Sequence, residues 1–476
     1  MKLRLVRCLC CTCIFILAGC ESAGLRPASE QAAAVAVGSA EPIVFRSEAS
    51  ALDASDVLPD MLTLPEAVQL TLKHHPGIQA ALARVRAAQA DADQVRLLPN
   101  PILTVVFRFP EGSGKPIIEA GIAAELVQVL RRSGRISAAD DRLRASSAQA
   151  VSTVLDVVSE VRETYYAAQS LQASAPLLEA RRDLLARLQD LARSRLEAGE
   201  GSRLETTTLD AQRVEVEAEL DDLLLELTEQ QLALARLVGQ PSSAAPLHVS
   251  DWRPPAMNSV RESAWIPVAL ESRPEVQAIQ WELAALGADL RLAGSEVLAD
   301  AELGVNAERD DDWSAGPAVS VPLPFFDWGQ ARRAKIVAMR TEAAHRLTQA
   351  KREVVEQVRR AAAVFNESVH ELERVRTQLI PLQEQRRELA EAAFRAGQSD
   401  VTAVILAEQD LAAARSRAVA LERKNSVALL RLERAVGGAG VAATLIQATP
   451  SATSPDVVPV TQPAATTQAE AVSPKL

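Results

Sequence analysis

This chain repeats itself at long range, and that repetition limits what it can fold into. Lys73-His74-His75-Pro76-Gly77-Ile78-Gln79-Ala80 aligns with Glu271-Ser272-Arg273-Pro274-Glu275-Val276-Gln277-Ala278, which sets Pro76 and Pro274 198 residues apart. Leu196-Glu197-Ala198-Gly199 aligns with Phe394-Arg395-Ala396-Gly397, and Leu237-Val238-Gly239 with Ala435-Val436-Gly437, at the same offset. Gly121 and Gly134 match Gly316 and Gly329 at 195, so insertions between the marks are small. A period this long is no solenoid repeat; it is a whole structural half written twice.

Each half follows one plan. A short helix is predicted over Leu64–His75 and again over Trp265–Ser272, then a second over Gly77–Leu98 and Glu275–Leu298. A strand-like pair follows (about 101–127 and 300–322), then very long helices, Arg135–Glu197 and Gln330–Arg395. Glycine turns lead into returning helices at Ser202–Leu237 and Ser399–Val436. The chain is 48% hydrophobic but only 3% aromatic, a balance that suits helical rods better than aromatic-rich globular cores. A 60-residue helix is roughly 90 Å long, and rods of that length pack as coiled coils. Pro176 and Pro381 fall inside them and are expected to kink or interrupt them. The fold class is therefore mainly α with a small β part. The two repeats span 61–239 and 265–438, joined by a linker at 240–264.

The strand pairs alternate. Ile102, Thr104, Val106 and Arg108 share one face, with Leu103, Val105, Phe107 and Phe109 on the other. In the return strand Ile118, Ala120, Ile122, Ala124 and Leu126 oppose Glu119, Gly121 and Glu125. In the second half Ala301, Leu303, Val305 and Ala307 oppose Glu302, Gly304, Asn306 and Glu308; Arg309 to Trp313 reads as the turn and Ala315–Val321 as the return. Runs of about 8–10 residues with one apolar and one carboxylate-bearing face suit a barrel wall around water. Two small hairpins packed on the rods would show the same alternation. Beyond the first 20 residues no apolar run reaches membrane-helix length, so any spanning part must be a β-barrel. Four strands cannot close one, so strands that span require the chain to oligomerise.

The N-terminus is an address. Lys2, Arg4 and Arg7 precede an apolar stretch from Cys8 to Ala18 that is too short to span. It ends Leu17-Ala18-Gly19-Cys20, which resembles a bacterial lipobox. That resemblance makes 1–19 a signal peptide and Cys20 the lipidated residue, and Glu21, in place of a retaining Asp, points to the outer membrane. Residues 20–60 read as a loose lipidated tether and 439–476 as a disordered tail rich in Ala, Thr, Pro and Ser. All five cysteines lie at or before Cys20, which excludes disulfides and cysteine metal sites in the body. His74 and His75 point about 100° apart on a helix, and His248, His345 and His370 are scattered, so no metal site is expected. Asp310-Asp311-Asp312 reads as a charged loop tip, not a calcium loop. A net charge of −11 argues against nucleic acid. No nucleotide loop, G-x-S-x-G or H-E-x-x-H occurs, and Gly112-Ser113-Gly114-Lys115 is too short for the first. The chain reads as neither enzyme nor cofactor protein.

Leu64-Pro65-Glu66-Ala67, Leu72, His75-Pro76 and Leu98-Pro99-Asn100-Pro101 together resemble the opening of TolC-like outer-membrane efflux proteins. So does Val321-Pro322-Leu323-Pro324-Phe325-Phe326-Asp327-Trp328-Gly329 leading into a long helix. The resemblance runs from about Leu62 to Gly437. It implies a homotrimer whose twelve strands close one barrel in outer-membrane lipid, continued by a tunnel of helical rods. It also implies a passive exit duct for an inner-membrane pump, docked by a periplasmic adaptor at two helical tips. The matching tip residues here are Ala198, Gly199, Gly201 and Ser202, and Ala396, Gly397 and Ser399. Pro324, Trp328 and Gly329 would form the barrel–rod junction. Where some members carry aspartates at the tunnel mouth this chain has Ala403 and Leu406, leaving Glu205, Asp210, Asp400, Glu408 and Asp410 as candidate mouth carboxylates. The exit duct of a protein-secretion system and a non-channel periplasmic coiled-coil lipoprotein stay open as alternatives, and the cargo is not readable. Cys20→Ser is expected to abolish incorporation of radiolabelled palmitate and leave the precursor uncleaved; labelling at the native level would refute the lipobox assignment.

Overall fold

A computed structural model of the chain describes residues 28–39, 42–48, 59, 61–109, 116–199, 201–242, 247–251, 260–309 and 312–448. The signal peptide, Cys20, Asp310 and Asp311 lie outside these residues, as does the tail beyond residue 448. In chain order the elements are α1 (Ala28–Val37), β1 (Met61–Leu62), α2 (Leu64–His74), α3 (Pro76–Arg96), β2 (Ile102–Arg108), β3 (Ile117–Glu125), α4 (Leu126–Glu197) and α5 (Arg203–Leu237). There follow β4 (His248–Val249), α6 (Glu262–Ser272), α7 (Pro274–Leu292), a 3-10 turn Glu296–Leu298, β5 (Glu302–Arg309) and β6 (Trp313–Ser320). The chain ends with α8 (Gln330–Arg374), a π turn Val375–Leu379, α9 (Ile380–Arg395), α10 (Val401–Ala435) and α11 (Ala439–Ala448).

The two halves do share one plan, and its punctuation is local chemistry. Proline disfavours helix at the residue before it, so His75 and Arg273 are extended, with ψ 120° and 122°, and separate α2 from α3 and α6 from α7. The His75 Nδ1 accepts from the Gly77 N–H at 3.1 Å and caps α3. That ring serves as the helix cap. Toward the sheet the helices lie in the order α3, α4, α7, α8; toward the tips the order is α5, α4, α10, α9. The 72-residue α4 runs through both rows, about 108 Å at 1.5 Å per residue.

Several expectations need correction. The long helix starts at Leu126 rather than Arg135, because nothing between them breaks it and its first turns are docked on both sides: Arg132 Nε donates to the Arg96 carbonyl at 3.0 Å and Arg131 Nη2 to that of Leu292 at 3.0 Å. Pro176 sits within uninterrupted helix. Pro381 instead lies in the first turn of α9, just after the π turn; a widened turn accommodates the ring and the missing N–H. The tether and tail are ordered in part. In α1, Ala33, Ala34 and Ala36 are buried with Ile43 against Val151, Val154 and Leu155 of α4, and α11 packs on α1 with Ala442 buried. The linker contributes β4, which pairs in parallel with β1. In the second hairpin Arg309 and Trp313 are paired strand residues, so the turn is shorter than predicted.

Midway along the rods one partly buried polar cluster joins the halves. Glu275 on α7 accepts from Ser152 Oγ of α4 at 2.6 Å and from Arg273 Nε at 3.1 Å, and is ion-paired with Arg434 of α10. Arg434 also reaches Asp156 at 2.7 Å, and nearby Arg162 of α4 pairs with Glu433 at 2.5 Å. In the first half Gly77 stands where Glu275 does and His75 where Arg273 does, so this lock exists once. Burial pushes the Glu275 carboxyl up, but Arg434, Arg273 and the Ser152 hydroxyl outweigh it and hold it at about 2, below the usual 4.5. A depressed carboxylate stabilises the fold above its unfolded value and loses that contribution as pH falls toward the folded one. Thermal melts should therefore drop between about pH 4.5 and pH 2 by about 2 kcal/mol more than in Glu275→Gln, which should be less stable at pH 7 and flatter below it; parallel pH profiles would contradict the lock.

Candidate channel wall and helical tips

The four long strands form an antiparallel sheet in the order β2-β3-β5-β6. Its register aligns like residues across both halves. One face carries the rows Leu103–Ile122–Val305–Pro317, Val105–Ala120–Ala307–Ala315 and Ala124–Leu303–Val319. The other carries Glu125–Glu302–Ser320, Thr104–Gly121–Asn306–Gly316 and Val106–Glu119–Glu308–Ser314. Among the described residues no helix covers the apolar face: Leu103 is 67% exposed, Val305 58% and Val319 69%. Hairpins packed on the rods would have buried these side chains, so that reading fails. A continuous exposed apolar face marks an interaction surface, and its strands, 7 to 9 residues long, come close to the reach of a tilted membrane strand. Among the described residues no helix is long and apolar enough to cross a membrane.

The polar face concentrates negative charge. Glu119 stands directly across from Glu308, and Glu125 across from Glu302, an arrangement that destabilises an antiparallel pair. Arg108 Nη2 relieves the first at 2.8 Å from Glu119. Alternation in the sequence revealed the faces, but only the β3–β5 register brought these carboxylates opposite one another.

Between sheet and rods, Phe325, Phe326 and Trp328 are 72%, 94% and 69% exposed. Pro324 is half-buried beside them. The turn into α8 is held by Asp327 Oδ1, which accepts from the Gly329 N–H at 2.7 Å, and by Gln330 Oε1, which accepts from Trp328 N–H at 2.7 Å. Gly329 has φ +76°, and a Cβ on it would lie 3.0 Å from the Ala293 carbonyl oxygen, so both conformation and space require glycine. The indole of Trp328 is exposed on the subunit.

At the far end the structure brings the two tips together. Gly199 and Gly397 turn the chain with φ +80° and +70°. Ala198 and Ala396 end α4 and α9, Gly201 N–H donates to the Arg195 carbonyl at 3.0 Å, and the Ser202 hydroxyl caps α5 by accepting from Glu205 N–H at 3.2 Å. Ser399 Oγ is buried without a partner. Leu185, Leu188 and Leu209 of the first hairpin share one core with Phe394, Val401 and Ile405 of the second, and the Arg195 guanidinium lies 4.9 Å over the Phe394 ring. The five mouth carboxylates do not form an open set within the subunit. Asp210 lies 3.5 Å from Arg193, and Asp410 is ion-paired with Arg386. Asp400 is the N-cap residue of α10; the Thr402 hydroxyl, donating at 3.0 Å, holds its carboxyl below the usual range. Glu205 turns Oε2 inward, and Glu408 is only 8% exposed inside the wall, where burial pushes its carboxyl up against the pull of Arg387 and Arg415. Among the described residues no group of three or more His, Cys, Asp or Glu could hold a metal ion.

Comparison with known proteins gives the same picture. The family model described as outer membrane efflux protein matches residues 67–240 and again 265–438. The cobalt-zinc-cadmium resistance protein CzcC of Cupriavidus metallidurans is 24% identical over 380 residues, 79% of this chain and 90% of that protein. Protein CyaE of Bordetella pertussis is 26% identical over 306 residues, 60% of this chain and 64% of that one. Among solved structures, the outer membrane protein VceC of Vibrio cholerae superposes with a TM-score of 0.65 at 19% identity, over 79% of this chain and 96% of that one. The open-state MtrE outer membrane channel of Neisseria gonorrhoeae gives 0.64 at 16% identity, over 83% and 95%. Gly329→Ala should lower stability by about 2 kcal/mol through a strained φ and the Ala293 contact, whereas Gly397→Ala, whose Cβ meets nothing within 4 Å, should carry only about 1 kcal/mol of backbone strain; equal denaturation midpoints for the two variants would contradict the tight junction.

Proposed function

The chain belongs to the outer membrane efflux protein family, and from that premise we propose that three copies close into one exit duct that carries divalent metal cations delivered by an inner-membrane pump. One observation carries the ring: the subunit is open on both sides in the same sense. The sheet ends in β2 on one side and β6 on the other, and the helical wall ends in α3 and α5 on the first side and α8 and α9 on the second. Open sheet edges are not tolerated in lipid. A head-to-tail contact of β6 with the β2 of the next copy satisfies them and closes by rotation. Three subunits supply twelve strands, enough to close a barrel where four are not.

The apolar rows then face lipid, and the rows bearing Glu119, Glu125, Glu302 and Glu308 face the water-filled lumen. A carboxylate-lined lumen favours cations electrostatically, and the similarity to a cobalt-zinc-cadmium resistance protein over most of its length supports the same cargo class. The tips at Gly199 and Gly397 are the docking ground for a periplasmic adaptor. The chain has no nucleotide loop, so adaptor binding must supply the free energy that shifts a closed–open equilibrium. Cys20 carries the lipid that anchors the mature N-terminus.

Purified protein in a planar bilayer is expected to give discrete, cation-selective currents, with a protein mass by light scattering of three subunits. Charge-neutral Gln at Glu125 and Glu302 should reduce cation over anion selectivity severalfold without changing the mass. A monomeric species, or a trimer whose selectivity ignores both substitutions, would overturn the ring or the cation reading respectively.

A further inference from the structure

The helix α5 has two apolar stripes and packs along one helix, α4, reaching α10 only near its tip end. The first stripe, Leu209, Val216, Leu220 and Leu234, is buried where the helix packs along α4. The second recurs every seven residues, at Leu204, Ala211, Ala218, Leu225 and Leu232, on the opposite side. There Leu204 is 76%, Leu225 61% and Leu232 56% exposed. A seven-residue apolar repeat is the pattern by which one helix seats on another, so this helix is written for a second partner that the subunit lacks. Beside the stripe stand Asp221 and Asp222, both exposed and with no ion pair or hydrogen bond among the described residues. Over its length α5 carries nine acidic and three basic residues.

The opposite edge of the subunit carries the complementary features. Leu382 and Leu389 on α9, also seven apart, are 63% and 65% exposed. The adjoining α8 carries ten Lys and Arg against six Glu. The Arg181–Glu219 ion pair fixes which residues of α4 and α5 are level, and the 198-residue offset between the halves carries that level to α8 and α9. By this measure Leu382 and Leu389 stand within two residues of the level of Ala218 and Ala211, large against small. Asp221 and Asp222 stand level with the π turn, where Arg376 within it and Arg374 just before it have side chains 49% and 64% exposed. Arg374 is only loosely held, 3.5 Å from Glu367, while Arg376 is paired with Glu422.

We propose that the second stripe of α5, with Asp221 and Asp222, docks against the exposed face of α9 and the Arg374–Arg376 segment of a second copy of this chain, forming a charge-keyed coiled-coil seam between subunits. The seam rests on the ring reading above and specifies which helices meet, in which register and by which charges. Charge at the edge of an apolar seam selects partner and register.

The test uses the full-length protein in detergent. Asp221→Arg with Asp222→Arg should weaken the trimer about tenfold or more, read as the dilution at which light scattering reports subunits; Arg374→Asp with Arg376→Asp should restore it in the same chain. Arg376→Asp also removes the Glu422 pair, so cross-linking provides an independent readout. The body holds no cysteine after Cys20, so Leu225→Cys with Arg374→Cys should give a disulfide-linked multimer on oxidation, and Leu225→Cys with Leu303→Cys should not. A wild-type protein that is not trimeric overturns the ring and the seam with it. A trimer that ignores the charge reversal and shows no 225–374 cross-link overturns the seam alone.

Discussion

In hydrocarbon, an unpaired backbone amide or carbonyl costs several kcal/mol because no water is present to satisfy it. A four-stranded sheet with an exposed apolar face leaves two rows of such groups, along β2 and β6. That liability explains the rest of the architecture. The sheet cannot be an end in itself, and a helix cannot cover its edges, since the helices begin where the strands stop. The two halves place their hairpins side by side, joined through the β3–β5 ladder, and the subunit reaches its outer limits with edges on both sides. The helical wall inherits the same openness: α5 keeps an apolar stripe that nothing among the described residues covers.

The rods face a different problem. A helix of 72 residues is a single layer thick, with no globular core behind it. Stability must come from sideways contacts, and these are divided among local clusters along the length. Where the lateral packing is richest, midway, α1 and α11 add a further layer and the Glu275–Arg434–Asp156 cluster ties the halves together. At the tips the two hairpins share one core of Leu185, Leu188, Leu209, Phe394, Val401 and Ile405, and Ser399 Oγ and Glu408 Oε2 stay buried without partners.

Much of this was legible in the residues because it is periodic. Alternation at period two gave the strands and their faces, and the repeat offset gave the two halves and both glycine tips. The departures have particular causes. Pro176 and Pro381 read alike in sequence as kinks or interruptions; the helix runs without a break through Pro176, whereas just before Pro381 the chain widens into a π turn. The Ala-rich stretches at both ends were read as loose, but Ala33, Ala34 and Ala442 are small enough to pack closely over the midpoint of the rods. The mouth carboxylates looked alike in sequence; Asp410 proved to belong to Arg386 and Glu408 to the interior of the wall, because the partner of a charge lies on another helix.

Local pattern thus set the element types, their order, the two apolar faces and the position of each turn, since backbone geometry and side-chain period act over a few residues. Tertiary structure decided what lies across from what: Glu119 against Glu308, Arg434 against Glu275, the first tip against the second. These pairings join residues separated by more than a hundred positions. They are set by strand register and helix level, quantities that only the packed chain defines, and through them the distribution of charge along the wall was fixed.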